Sequence, residues 1–183
     1  MTTIARETGH MQADQPGQPV LEAPLLAIAR ELRDCLRATL ARCGRPVCHC
    51  CLYHGRTPPP ADDCDCDCEV GRGRGWVRVV QLTTSSSSAI VTPPCNVWRW
   101  KATLELGVYR CVTVPEDGVA DCGVQSAEAV AGWTDLLALR DVVACCRPDG
   151  GALEDAIVEV LSADPLGPSG GCAGSTLTFT VEI

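Results

Sequence analysis

The chain has 183 residues, a formal net charge of -8 and fourteen cysteines. This length allows one ordinary domain with a sizeable core and is too short for two domains plus a linker. The acidic balance argues against a protein that holds nucleic acid through its overall field, because phosphate binding needs clustered lysine and arginine. No apolar run approaches the roughly 20 residues that cross a bilayer, so we expect no association with a membrane.

The composition divides the chain into an arm, a domain and an insert. Residues 1–20 are polar and carry neither a secretory signal nor an anchor, so we predict a disordered N-terminal arm. Residues 21–183 are then expected to form a single domain. Within it, residues 46–75 form a cysteine-rich insert that lacks the apolar residues of a core. Its end, Gly71 to Gly75, is interpreted as a flexible hinge.

The first predicted element is a helix whose apolar residues recur at steps of three and four. Gly44 and Pro46 are expected to end it, since glycine suits the left-handed C-terminal position and proline cannot continue a helix. The apolar stripe of this helix consists of Leu25, Ile28, Ala29, Leu32, Leu36 and Leu40.

Two strands are predicted next, from Trp76 to Thr83 and from Val97 to Val114, joined by an exposed loop that contains the run Ser85 to Ser88. The second strand alternates strictly between apolar and polar residues, a period of two that only a half-buried strand satisfies. One face is expected to join the core and the other to face water or a partner. The apolar positions are Trp98, Trp100, Ala102, Leu104, Leu106 and Val108.

A second helix is predicted to begin at Ser126, a plausible N-cap, and to end at Pro148. After it we expect a short strand at Ala156 to Leu161, a loop at Asp164 to Gly174, and a closing strand that again alternates. The stripe that should pack this helix against the core contains Ala129, Trp133, Leu136, Leu137, Val143 and Ala144.

These elements predict the α+β class, in the order α-β-β-α-β-β. Two helices would cover one face of a mostly antiparallel, four-stranded sheet, and the first two strands would form a long β-hairpin.

The strongest local constellation is a set of cysteines in two clusters separated by a proline-rich spacer. Structural zinc needs four thiolate or imidazole ligands, so a zinc site is one reading, with His49 and His54 as further candidate ligands. The aspartates between the cysteines favour a dication, while disulfides would order the same segment by removing the thiols. Both readings stay open. The cysteines are Cys48, Cys50, Cys64, Cys66 and Cys68.

The remaining cysteines fall near the ends of predicted elements, where a buried cysteine usually acts as a small hydrophobic residue. That reading is preferred for most of them, with a disulfide of Cys95 or Cys172 left open. They include Cys95, Cys111, Cys145, Cys146 and Cys172.

Catalysis is poorly supported by the sequence. All three histidines precede residue 55, and we find no nucleophile elbow, phosphate loop or zinc-protease helix. The carboxylates at Asp117, Asp121, Asp135 and Asp141 are read as solvated charges. We therefore expect a protein that is not an enzyme.

A series of short segments resembles a family of small, cysteine-rich structural proteins from tailed phages of actinobacteria. The resemblance covers residues 24–183 and is carried by Trp76-Val77-Arg78, Pro94-Cys95, Leu104 to Cys111, Ala144-Cys145-Cys146, Gly167-Pro168 and Gly170 to Gly174. In element order the family is similar to siphovirus tail terminators, which form a ring, typically hexameric, between the tail tube and the neck.

The resemblance implies a virion protein assembled in the host cytoplasm. Its implied partners are copies of itself, the tail tube protein and the head-to-tail stopper or connector proteins. Genomic DNA would pass through the lumen without specific binding. The family brings no catalytic residues, and no cofactor is expected beyond a structural zinc ion.

Three alternatives are kept. The chain could be another neck or minor tail component, such as a head-to-tail stopper. A zinc-stabilised nucleic-acid module would use the arginines near the cysteines, and a thiol enzyme would need an exposed cysteine of low pKa. The arginines are Arg42, Arg45, Arg56, Arg72 and Arg74.

Overall fold

The computed structural model describes residues 22–60, 64, 73–84, 100–115, 119, 121–147, 149–154, 156 and 158–183. Its elements in chain order are α1 (Glu22–Arg42), β1 (His49–Tyr53), β2 (Gly73–Thr84), β3 (Trp100–Cys111), α2 (Cys122–Cys145), β4 (Val158–Ser169) and β5 (Cys172–Glu182). The predicted N-terminal arm, the serine-rich loop and the start of the second predicted strand lie outside the described residues.

The five strands form one mixed sheet in the order β1-β2-β3-β5-β4. Strands β2, β3, β5 and β4 pair antiparallel, whereas β1 runs parallel to β2. The predicted α+β class is confirmed. The predicted sheet of four strands missed β1, because its five residues lie among cysteines and are too few to show a periodicity.

The glycines of the predicted hinge that the structure describes, Gly73 and Gly75, belong to β2. At Gly73 the backbones of β2 and β3 come so close that a Cβ atom would collide with the carbonyl oxygen of Tyr109. Glycine at this position therefore serves close strand packing.

The helices and one face of the sheet enclose the main core. The predicted α1 stripe is buried at Ile28, Leu32, Leu36 and Leu40, and both helices contribute to the same cluster as the sheet. A fully buried leucine stabilises the fold by roughly 1.5–3 kcal/mol. The alternation of β3 and β5 is confirmed by the sheet residues of this core, which include Leu104, Leu106, Val108, Leu177, Phe179 and Val181.

α1 ends where it was predicted to end. Gly44 has a φ of +73°, and the N–H of Arg45 donates to the carbonyl of Leu40 at 2.9 Å. This is the hydrogen bond that closes a helix at a left-handed glycine.

The opposite face of the sheet differs from its prediction, which assigned the polar positions of β3 to water or a partner. Glu105 and Tyr109 of β3 are both buried. Tyr109 belongs to a second, smaller cluster with Cys64, Trp76 and Cys172. The sheet is thus covered on both faces at this end, because part of the cysteine-rich insert folds over it.

α2 and β4 both extend beyond their predicted bounds. α2 begins five residues earlier than predicted, with Asp121 rather than Ser126 as its N-cap, and Ser126 donates to the carbonyl of Cys122 inside the helix. β4 continues through the predicted loop to Ser169 and meets β5 at a tight turn, where Gly170 and Gly171 have positive φ angles. The prolines in this stretch indicated a loop, but an edge strand tolerates proline because its N–H groups need no partner.

Candidate functional site

The five cysteines of the predicted zinc site do not share one bonding state. Cys48 and Cys64 are disulfide-bonded, and the partner of Cys64 is Cys172. Cys50 is a half-buried free thiol, and its Sγ donates to the carbonyl of Arg33 at 3.5 Å. Cys66 and Cys68 lie outside the described residues.

This arrangement restricts where zinc could bind. A sulfur atom in a disulfide is not a thiolate ligand, so a zinc site drawn from all five cysteines requires a reduced form of the protein. Within the described ranges, no three histidine, cysteine or acidic side chains come together as metal ligands. The structural zinc ion stays a prediction.

Two disulfides join parts of the chain that are far apart in sequence. Cys35 of α1 is bonded to Cys146 at the end of α2, with Cα atoms 6.1 Å apart. Cys64 of the insert is bonded to Cys172 of β5, with Cα atoms 6.0 Å apart. The reading of Cys146 and Cys111 as simple small hydrophobic residues was therefore wrong, because both are disulfide-bonded, whereas the disulfide left open for Cys172 is present. Cross-links of this kind restrict the unfolded chain and make the scaffold more rigid.

A buried ion pair fastens the insert to the sheet. Arg78 of β2 contacts both carboxylate oxygens of Glu105 at 2.7 Å, and its third nitrogen donates to the carbonyls of Gly55 and Arg56. The indole of Trp76 donates to the same carboxylate at 3.0 Å. These hydrogen bonds are all charge-assisted, which is what allows two charges to be buried.

A second buried carboxylate connects α2 to β3 and to the residue that precedes the insert. Asp135 accepts from Arg45 at 2.8 and 2.9 Å and from Arg110 at 3.1 and 3.2 Å. The hydrogen bond with Asp135 raises the pKa of the Arg45 guanidinium, and the charge of Asp135 raises it further, against the lowering effect of burial. Reading Asp135 as a solvated charge was wrong. Arg45 forms an ion pair with this buried carboxylate and is therefore not free to contact phosphate, which weakens the nucleic-acid alternative.

α2 carries large apolar side chains on its exposed side. Trp133 and Leu137, predicted to pack into the core, are 62% and 53% exposed. Of the predicted stripe, Val143 is buried in the core, and the other buried residues of α2 are Asp135, Ala138, Leu139 and Val142. The prediction was wrong for Trp133 and Leu137 because α2 is apolar on most of its circumference, so the sequence did not distinguish the inner face from the outer one.

Beside α2 runs an open groove of about 630 Å³. One wall is α2 itself, including Ala129 and Leu136; the other comes from the residues after β3 and from the ends of β4 and β5. Exposed apolar residues of the rim include Val114, Val119 and Val124. Such a volume has room for several side chains, and exposed apolar surfaces of this kind are typical of interaction sites.

No protein family model matches the chain, and the comparison with curated proteins finds no match. No helix among the described residues is long and apolar enough to span a bilayer. The inference of function therefore depends on the residues and the surface of this chain.

Proposed function

We propose that the protein is a structural virion protein: a tail terminator whose identical subunits form a ring, six in the form typical of that family. The ring would cap the tail tube and join it to the neck. The observation that carries the proposal is the apolar surface of α2 with its groove, on a scaffold held by disulfides and buried ion pairs. Monomeric proteins rarely expose large side chains in this way without a binding partner.

Two further properties support the proposal. The resemblance over residues 24–183 is to phage structural proteins with the predicted order α-β-β-α-β-β, from which the observed order differs by the parallel strand β1. The net charge of -8 is unfavourable for binding phosphate, so DNA could pass through a ring of these subunits without being held.

The test is to mix the purified protein with tubes assembled from the tail tube protein of the same virus and to examine them by negative-stain electron microscopy. A terminator is expected to add a ring-shaped cap to one end of each tube. Bare tube ends, with binding to the connector of the neck instead, would favour the alternative neck component. Salt-sensitive binding to DNA without binding to either partner would favour the zinc-stabilised nucleic-acid module.

A further inference from the structure

We infer that neighbouring subunits of the ring contact each other through α2, with the outer stripe of one copy packed into the groove of the next. The outer stripe is Val130, Trp133 and Leu137, and the groove is the one described beside α2. This inference rests on the proposed function, since it names the self-association surface of the ring.

The three residues of the outer stripe lie on one side of α2, because they are spaced by three and four positions. Each is more than half exposed: 55% for Val130, 62% for Trp133 and 53% for Leu137. A large aromatic residue flanked by aliphatic ones is the composition of the energetically dominant part of a protein interface.

Charge indicates that the occupant is a second copy of this chain. Two subunits that each carry a net charge of -8 repel one another, so they approach best where their surfaces are neutral. Between Glu128 and Arg140, α2 contains one ionisable residue, Asp135, which is buried beneath Arg45 and Arg110. The outer stripe is thus a neutral surface on an acidic molecule.

The exposed edge of the sheet at β4 is a poorer place for self-association. β4 contains Pro165 and Pro168, which lack the N–H groups that an added strand would need, and Asp164 beside them. Prolines and charges are the features by which natural edge strands resist pairing with another chain. α2 carries no such protection along its outer stripe.

The outer stripe and the groove are adjacent but different parts of one surface. Trp133 stands at the boundary, since it belongs to the stripe and also lines the groove. A contact between two different surfaces is head-to-tail, and head-to-tail contacts close into rings when the rotation between subunits allows it. In the proposed ring, the groove of each subunit would receive the stripe of one neighbour, while its own stripe would pack on the other neighbour.

The experiment compares oligomeric state over a concentration series, by native mass spectrometry and light scattering, for the wild type, Leu137→Asp and Leu161→Asp. Leu137 and Leu161 have matched exposures of 53% and 51%, but Leu137 belongs to the outer stripe of α2, whereas Leu161 lies on β4. We expect Leu137→Asp to weaken association roughly 30-fold or more, as loss of a dominant interface contact does, and Leu161→Asp to associate like the wild type.

Fluorescence gives a second measurement that does not depend on a charged variant folding. Acrylamide should quench the emission of Trp133 strongly in the dilute wild type and weakly in the assembled one. The Trp133→Phe variant identifies that component, because it lacks the quenching difference while keeping the buried Trp76.

The outcomes separate this inference from the proposed function. If Leu137→Asp is folded and keeps the wild-type oligomer, or if Trp133 stays equally quenchable on assembly, the α2 contact is wrong while the ring remains. If the wild type is a monomer at every concentration, the inference is overturned whatever the protein does on a tail tube. If the α2 contact is found but tube ends stay bare, the inference stands and the terminator function fails.

Discussion

Arg78 and Glu105 lie directly opposite each other on β2 and β3 and are joined by two contacts of 2.7 Å between nitrogen and oxygen. Their side chains are only 6% and 8% exposed. The same guanidinium donates to the carbonyls of Gly55 and Arg56, so one pair connects the sheet to the segment that covers it.

Removing one member of this pair should be strongly destabilising. We expect Glu105→Leu to lower the free energy of unfolding by about 3–5 kcal/mol, because it leaves the charge of Arg78 buried without its partner. The double variant Arg78→Met with Glu105→Leu should recover a large part of that loss, since no unpaired charge remains. Urea unfolding without reductant measures both.

The exposed pair Arg140 and Asp141 provides the control, with a contact of 2.7 Å between largely solvated side chains. Arg140→Ala should change the free energy of unfolding by less than about 1 kcal/mol. A double variant at positions 78 and 105 that is no more stable than Glu105→Leu alone would contradict the account of the buried pair.

Gly107→Ala should destabilise the protein by about 1–3 kcal/mol or more, because the added methyl group would overlap the indole ring of Trp76 on the neighbouring strand. Gly132→Ala is the matched control. A Cβ at Gly132 meets nothing within 4 Å, and the residue lies inside α2, where alanine is favoured over glycine by about 0.5–1 kcal/mol. The two variants should therefore shift the thermal midpoint in opposite directions, and equal shifts would argue against the packing of Trp76 on Gly107.

Peptide mapping without reduction should recover Cys35 linked to Cys146 and Cys64 linked to Cys172. Replacing both cysteines of either pair with serine should cost about 2–5 kcal/mol, because each bond closes a loop of more than a hundred residues in the unfolded chain. Cys43 is an exposed free thiol, so Cys43→Ser should leave the unfolding midpoint unchanged. Other pairings in the map would overturn this assignment.

The thiol of Cys50 should react slowly with alkylating reagents. Burial, and to a smaller degree the neighbouring Cys51, raises its pKa to about 12 from an ordinary value of 9.0. Between these two values the native state binds more protons than the unfolded state, so the free energy of unfolding should fall as pH rises from about 9 towards 12.

Mass spectrometry of iodoacetamide-treated protein can compare Cys50 with Cys51, which is free and exposed. Cys51 should be modified first at pH 8, and Cys50→Ala should flatten the alkaline loss of stability. Equal labelling rates for the two thiols would show that Cys50 is not protected.

The elements that the sequence predicted correctly are those whose pattern runs long enough to exclude other structures. The alternation along β3 and β5 and the four-residue spacing from Ile28 to Leu40 each had a single interpretation. Gly44 marked the end of α1 because glycine readily adopts the left-handed conformation that ends a helix, and this preference does not depend on tertiary contacts.

The errors concern residues whose burial or bonding partner depends on tertiary packing. Glu105 occupies a polar position of β3, and it is buried because Arg78 lies opposite it on β2. Predicting this pair would require the register of the two strands, which shifts between Val79 and Gln81. Trp133 lies on a helix that is apolar on several sides, so its exposure could not be inferred from spacing. With fourteen cysteines, the pairing of Cys64 with Cys172 could not be chosen from sequence alone.

The position of β5 has a consequence for the order of events during synthesis. β5 follows β4 in the chain but lies between β3 and β4 in the sheet, so β4 leaves the ribosome before its hydrogen-bonding partner exists. β5 also pairs with β3, from which α2 and β4 separate it in the sequence, and pairings over such long separations form slowly. The groove beside α2 takes part of its wall from Ala173 and Gly174 of β5, so a nascent chain has no complete surface with which to bind a neighbour. In the proposed ring, assembly would therefore begin only after each subunit has finished folding.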